Sequence, residues 1–162
     1  MPLMTTKPMF DLAYDGGFAI GAFNVNNMEI TQAIIDACAA ESAPLILQIS
    51  KGARKYANIR YLKHIIDAAV EEHPELPIAI HCDHGDTVEL IKQCIGDGYT
   101  SVMIDGSHHP YEENVKLSKQ VVDVAQKYNR KVCFVGRSMV RNMQIAQDLG
   151  YLTVPDNVVV DL

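Results

Sequence analysis

Apolar positions along this chain fall into two alternating rhythms. Four short, nearly unbroken apolar runs, at 19–25 (AIGAFNV), 44–50 (PLILQIS), 77–83 (PIAIHCD) and 101–107 (SVMIDGS), predict buried strands. Segments at helical spacing lie between and after them, at 28–43, around 58–74, 87–98 and 111–128. The second of these should turn Tyr61, Ile65, Ile66 and Ala69 to one face. The opening TTKPMFDLAYDGG predicts a further short helix, with Thr5 or Thr6 as cap, Pro8 in the first turn and Gly16–Gly17 as the stop.

Strand starts recur at intervals of about 25 to 33 residues, the spacing of repeated βα units around a parallel sheet. The fold class is therefore α/β, either a doubly wound sheet or part of a (β/α)8 barrel. Polar residues gather where each strand ends: Asn24 and Asn26, Ser50, Asp83 and His84, Asp105 and His108. In both architectures ligands bind at the carboxyl ends of parallel strands. That clustering is the main sign of a site.

Composition narrows the setting. A length of 162 residues predicts one domain, 1–162. No apolar run reaches the roughly 20 residues of a membrane span, and no signal-peptide pattern opens the chain. The four cysteines, Cys38, Cys82, Cys94 and Cys133, are scattered, which predicts reduced thiols and a cytoplasmic location. The net charge of −6 argues against a nucleic-acid partner for the whole molecule, although 124–147 holds no acidic residue and five basic ones.

The densest candidate is AIHCDHGD (79–86). Alternation along a strand places His81 and Asp83 on one face and Cys82 on the other, with His84 turned towards the mouth at the strand's end. A histidine there can bind a metal while a neighbouring carboxylate moves a proton. The plainer alternative is that both histidines are hydrogen-bonded strand-end residues and Asp86 caps the next helix. Asp105 can meet a cation or bond the Gly106–Ser107 turn, and His108 and His109 can be solvated loop residues. Cys82 and Cys94 read most simply as small buried apolar groups. Asn26 and Asn27 can form a turn, and Asn24 can contact a substrate. An improvised site joining His81 or His84 to His108 or His109 across adjacent strands is a further possibility.

Four stretches, GAFNVNNMEITQAIIDA, PLILQISKGARKY, PIAIHCDHGDTVELIKQCI and YTSVMIDGSHHPYEENVKLSKQVVDVA, resemble the class II fructose-bisphosphate aldolases in order and spacing, through about Ala125. The resemblance implies a TIM barrel, a catalytic zinc ion and the glycolytic lyase reaction, reversible aldol cleavage of the sugar phosphate fructose 1,6-bisphosphate. By position it implies Asp83 as the general acid/base and His84 as a zinc ligand. It also implies Asp105 as a carboxylate near a secondary metal position, and Asn24 and Ser50 as substrate contacts. The family's other two zinc histidines lie in later strands, and no histidine follows His109. The later glutamates and phosphate-binding strands are missing too, so the zinc site is expected to be incomplete.

From about Gln126 the chain resembles a different family. KYNRKVCFVGRSMVRNMQIAQDLGYLTVPDNVVVDL is similar to the β-CASP region of ribonuclease J, without that nuclease's metal-binding motifs. The expected tail is a strand at 131–136, a helix at 138–151 and a strand at 157–161. It would complete a half TIM barrel (1–125) with a βαβ segment (126–162) into a parallel sheet of about six strands with flanking helices. Three functional readings follow. The first is an aldolase-derived domain, weakly active or inactive. The second is a non-catalytic recombined or engineered scaffold, with open sheet edges available for homo-oligomers. The third is an RNA-contacting module acting through the basic tail.

Overall fold

The computed structural model describes residues 3–128, 132–134 and 158–160. They fall into two compact units, 1–108 and 109–162. The first opens with α1 (Thr6–Gly16) and continues with β1 (Gly21–Asn24), α2 (Met28–Ala40) and β2 (Leu45–Ser50). It then runs through α3 (Lys51–Ala57), α4 (Ile59–Glu72), β3 (Ile78–Gly85), α5 (Val88–Gly96) and β4 (Ser101–Ile104). The second unit contains α6 (Tyr111–Lys127), β5 (Val132–Phe134) and β6 (Val158–Val160).

All pairings in the larger sheet are parallel, in the order β1-β2-β3-β4. The α/β expectation with flanking helices holds, but the strand arrangement is corrected. Instead of one sheet of about six strands, the described residues form two sheets, of four strands and of two, with β5 and β6 paired parallel to one another. The predicted helix at 138–151 lies outside the described residues.

The two faces of the four-stranded sheet differ sharply. Leu45, Leu47 and Ile49 of β2, with Ile78, Ile80 and Cys82 of β3, are all essentially inaccessible to solvent. The alternate positions form the other, inner face. At its lower level Ile46 and Ala79 are covered by Met9 of α1, with Met4 and Ile20 packed alongside. Above them the register brings Asn24, Gln48, His81 and Ser101 to one level, and Ser50 and Asp83 to the next. An apolar floor thus carries two polar layers.

Local chemistry sets the helix boundaries. Asn27, Ser50 and Thr87 cap α2, α3 and α5 by accepting from the backbone N–H groups of Ile30, Ala53 and Leu90. The helix expected around 58–74 is found as α4, and a separate α3 that was not expected precedes it. Asn58 sits between them at φ 58°, a left-handed conformation that asparagine tolerates, and its side chain caps α4. The predicted buried face holds at Ile66 and Ala69 and is corrected at Tyr61. Leu62, Ile66 and Ala69 point inward, while Tyr61 is exposed.

Candidate functional site

β3 ends in a bulge. Cys82 pairs with Val102 and Gly85 with Ile104, so three steps along β3 match two along β4. The extra residue falls at Asp83–His84, and His84 takes a left-handed φ of 50°. Strict alternation would point Asp83 and His84 to opposite sides. The bulge re-aims His84 outward, next to the half-buried Asp83. Gly85 completes the device: a Cβ there would lie 2.7 Å from the Met103 carbonyl oxygen and 2.7 Å from Ile91 Cδ1. Only glycine lets the strand return so closely to β4.

Two carboxylates flank the His84 ring. Nδ1 lies 2.8 Å from Asp105 Oδ2, and Nε2 lies 3.8 Å from Asp83 Oδ1. Asp105 also accepts from the Ser107 backbone N–H at 3.0 Å, so it serves the turn and the histidine together. The Ser107 hydroxyl and N–H hold the Asp105 carboxyl well below the usual range, and His84 adds to this. His84 is raised from its ordinary value, first by the Asp105 hydrogen bond and then by the charge of Asp83. The Nε2 position therefore attracts a proton or another cation.

Below this pair two side chains absent from the sequence-based set, Gln48 and Ser101, cross-link the inner face. Gln48 Nε2 donates to Asp83 Oδ1 at 3.3 Å, and His81 Nδ1 lies 2.7 Å from Ser101 Oγ. Burial lowers the His81 pKa. Gln48 had a legible signal, a polar residue inside the apolar run PLILQIS. Ser101 had none, because serine at a strand start is unremarkable. Asp86 does not cap α5, because Thr87 does. Asp86 instead pairs with Lys51 at 2.6 Å, and this lowers its pKa.

Asn24 and Ser50 line a cleft of about 350 Å³ together with Asn26, Gln48, Gly52 and Tyr56. Ser50 Oγ accepts from Ala53 N at 3.1 Å, leaving its hydroxyl proton free to donate into the cleft. Gln48 borders both this cleft and Asp83. Through its bond to Asp83, Gln48 links the cleft of Asn24 and Ser50 to the end of β3.

Cys82 points away from that surface towards α5, where contact with Cys94 and burial both push its thiol up. Cys38, Cys82 and Cys94 are buried and unpaired in disulfides. Behind the site, Arg54 of α3 reaches the turn before β4. Its guanidinium bonds Asp97 at 2.7 Å and the Tyr99 hydroxyl at 3.0 Å, and lies over the Tyr99 ring.

Among the described residues no group of three or more His, Cys, Asp or Glu side chains is arranged to hold a metal ion. A catalytic zinc site ordinarily needs three protein ligands. The donor set here, one imidazole nitrogen beside one carboxylate, does not fit a complete zinc site. In the second unit His109 pairs with Glu113 at 3.4 Å.

Comparison with known proteins gives a consistent answer. The family model for fructose-bisphosphate aldolase class-II matches residues 4–158. A fructose-bisphosphate aldolase of Giardia intestinalis is 51% identical over 125 residues, covering 77% of this chain and 39% of the relative. One from Treponema pallidum is 46% identical over 164 residues, covering 98% of this chain and 46% of the relative. Among solved structures, the YdjI aldolase from Escherichia coli K12 superposes with a TM-score of 0.73 at 27% identity, over 81% of this chain and 49% of that one. The chain spans less than half the length of these curated relatives. The family match also runs through most of the 126–162 segment.

Proposed function

The chain belongs to the class II fructose-bisphosphate aldolase family, and from that premise we propose that residues 1–108 carry one half of an aldolase site. In this reading Asp83 is the general acid/base on the hydroxyl of the scissile carbon of a sugar-phosphate substrate. His84 offers Nε2 as a single zinc ligand, and Asp105 fixes the ring from the other side through Nδ1. Zinc in this family would polarise the ketose carbonyl and stabilise the enediolate charge. The observation that carries the reading is the bulge that turns Asp83 and His84 to the same mouth.

The chain's own residues do the following. Gln48 holds Asp83 by its outer oxygen, which fixes the carboxylate's direction. Asn24 and the Ser50 hydroxyl present polar groups to the substrate chain in the adjoining cleft. With too few ligands for zinc, the activity is weak or nil. Buried, unpaired thiols support a reducing, cytoplasmic setting.

The test is zinc titration with two readouts. Zinc should bind weakly and saturably, with affinity lost in His84→Ala, and any fructose 1,6-bisphosphate cleavage should vanish in Asp83→Ala. Binding unchanged in His84→Ala would overturn the assignment. Saturable zinc binding without cleavage at any zinc concentration would leave a non-catalytic scaffold, a reading favoured by the missing third ligand.

A separate ancestry for 126–162 belongs to the same proposal. It is supported by the sequence motifs, the Giardia match of only 125 residues, and the pairing of β5 with β6 in a sheet of their own. The Treponema match, which covers 98% of the chain, speaks for continuity instead. A tail of foreign origin should add nothing to zinc affinity. Loss of that affinity on removing residues 126–162 would count against it.

A further inference from the structure

The cleft of Asn24 and Ser50 is polar but uncharged: among the described residues none of its lining side chains is acidic or basic. At and just past the ends of β3 and β4 stand the carboxylates Asp83, Asp86 and Asp105. A phosphate dianion brought to this mouth would meet like charge unless a cation accompanied it. Two cations of the neighbouring helices are committed elsewhere. Arg54 is buried against Asp97 and Tyr99, and Lys63 is paired with Asp67 on its own helix.

Lys51 is placed differently. It is the first residue of α3 and stands between Ser50 and Gly52, both of which line the cleft. Ser50 and Asp83 are level in the register, so Lys51 and Asp86 follow the ends of adjacent strands. Lys51 Nζ reaches across to Asp86 Oδ2 at 2.6 Å, and the two side chains are 65% and 47% exposed. An ion pair so open to water contributes little, so Lys51 can leave it for a stronger partner at small cost. A phosphate dianion is such a partner, with nearly twice the charge of a carboxylate and several acceptor oxygens.

We propose that Lys51 is a phosphate-binding residue of this site, held by Asp86 when the cleft is empty and turned to the phosphate of a sugar-phosphate ligand when it is filled. The inference rests on the reading of the site as one for sugar phosphates, and adds a cation to its uncharged cleft. Asp86 competes with the ligand for the ammonium group. Removing the Asp86 charge should therefore strengthen binding, whereas removing the Lys51 charge should weaken it.

The test is a titration of the whole chain with fructose 1,6-bisphosphate and, separately, with unphosphorylated fructose, read from the amide resonances of Ser50 and Gly52. Lys51→Met should weaken bisphosphate binding about tenfold, leave fructose binding unchanged, and be largely rescued in Lys51→Arg. Asp86→Asn should tighten bisphosphate binding about twofold to threefold. Lys55→Met, the same charge change one turn along α3, should alter it by less than about twofold, and all four variants should keep the parent circular dichroism. Bisphosphate binding that is indifferent to Lys51→Met, or weakened as much by Lys55→Met, would overturn the role of Lys51 and leave the aldolase reading standing. An unmodified chain whose cleft resonances ignore the bisphosphate would overturn both.

Discussion

The two faces of one sheet have divided the work of this molecule. On the helix-covered face Leu45, Leu47, Ile49, Ile78 and Ile80 are sealed from water and hold the fold together. On the inner face the same two strands present Gln48, Ser50, His81 and Asp83, all part-buried, with Gln48 bonded to Asp83, His81 to Ser101 and Ser50 to the Ala53 backbone. Neighbouring residues of a single strand thus obey different rules. The odd-numbered positions of β2 are sealed apolar groups, whereas the even-numbered ones pass from the buried Ile46 to the polar Gln48 and Ser50.

Substitutions should separate the faces in order of size. Leu47→Ala, on the sealed face, should cost about 2–5 kcal/mol in chemical denaturation, through lost burial and the cavity left behind. Gly85→Ala should cost about 1–3 kcal/mol by overpacking against the Met103 carbonyl and Ile91, and should also disturb His84. Arg54→Ala leaves Asp97 and the buried Tyr99 hydroxyl without their partner, a loss of about 1–3 kcal/mol by the same measurement. Gln48→Leu, on the inner face, should move stability by less than about 1 kcal/mol. If the face carries chemistry, that variant should instead change the pH profile of any cleavage. A Gln48→Leu variant as unstable as Leu47→Ala would break the contrast.

The smallest expected effect is electrostatic. The raised pKa of His84 means that its pairing with Asp105 helps the fold fully below the ordinary histidine value of 6.5 and is lost as pH rises through the folded value. The depressed Asp105 contributes above 3.8 and loses its contribution as pH falls through its lower folded value. The pair is therefore most favourable between these limits. Because the groups are exposed, the readout should be an NMR titration of His84, whose pKa should fall in Asp105→Asn. A proton on Nε2 also competes with zinc, so any zinc affinity should weaken as pH drops.

Much of this was legible beforehand. Near-continuous apolar runs located all four strands of the larger sheet, because a strand buried between layers has little choice of residue. Alternation correctly sent Cys82 away from Asp83. Three things were not legible. The α3–α4 break depends on the left-handed backbone at Asn58, which leaves no mark on hydrophobic spacing. Asp86 looked like a cap, but Thr87 beside it was equally able to cap and did so. Strand order within a tail cannot be read from strand existence, so among the described residues the expected six-stranded sheet is four and two.

The β3 bulge has a consequence for inheritance. Because it turns two successive residues to one side, Asp83 and His84 can act together while being written in adjacent codons. A genetic crossover has almost no room to fall between them. Whatever sequence is joined downstream, this pair travels whole, while the partners that aim it, Gln48 and Asp105, lie on other strands or beyond them.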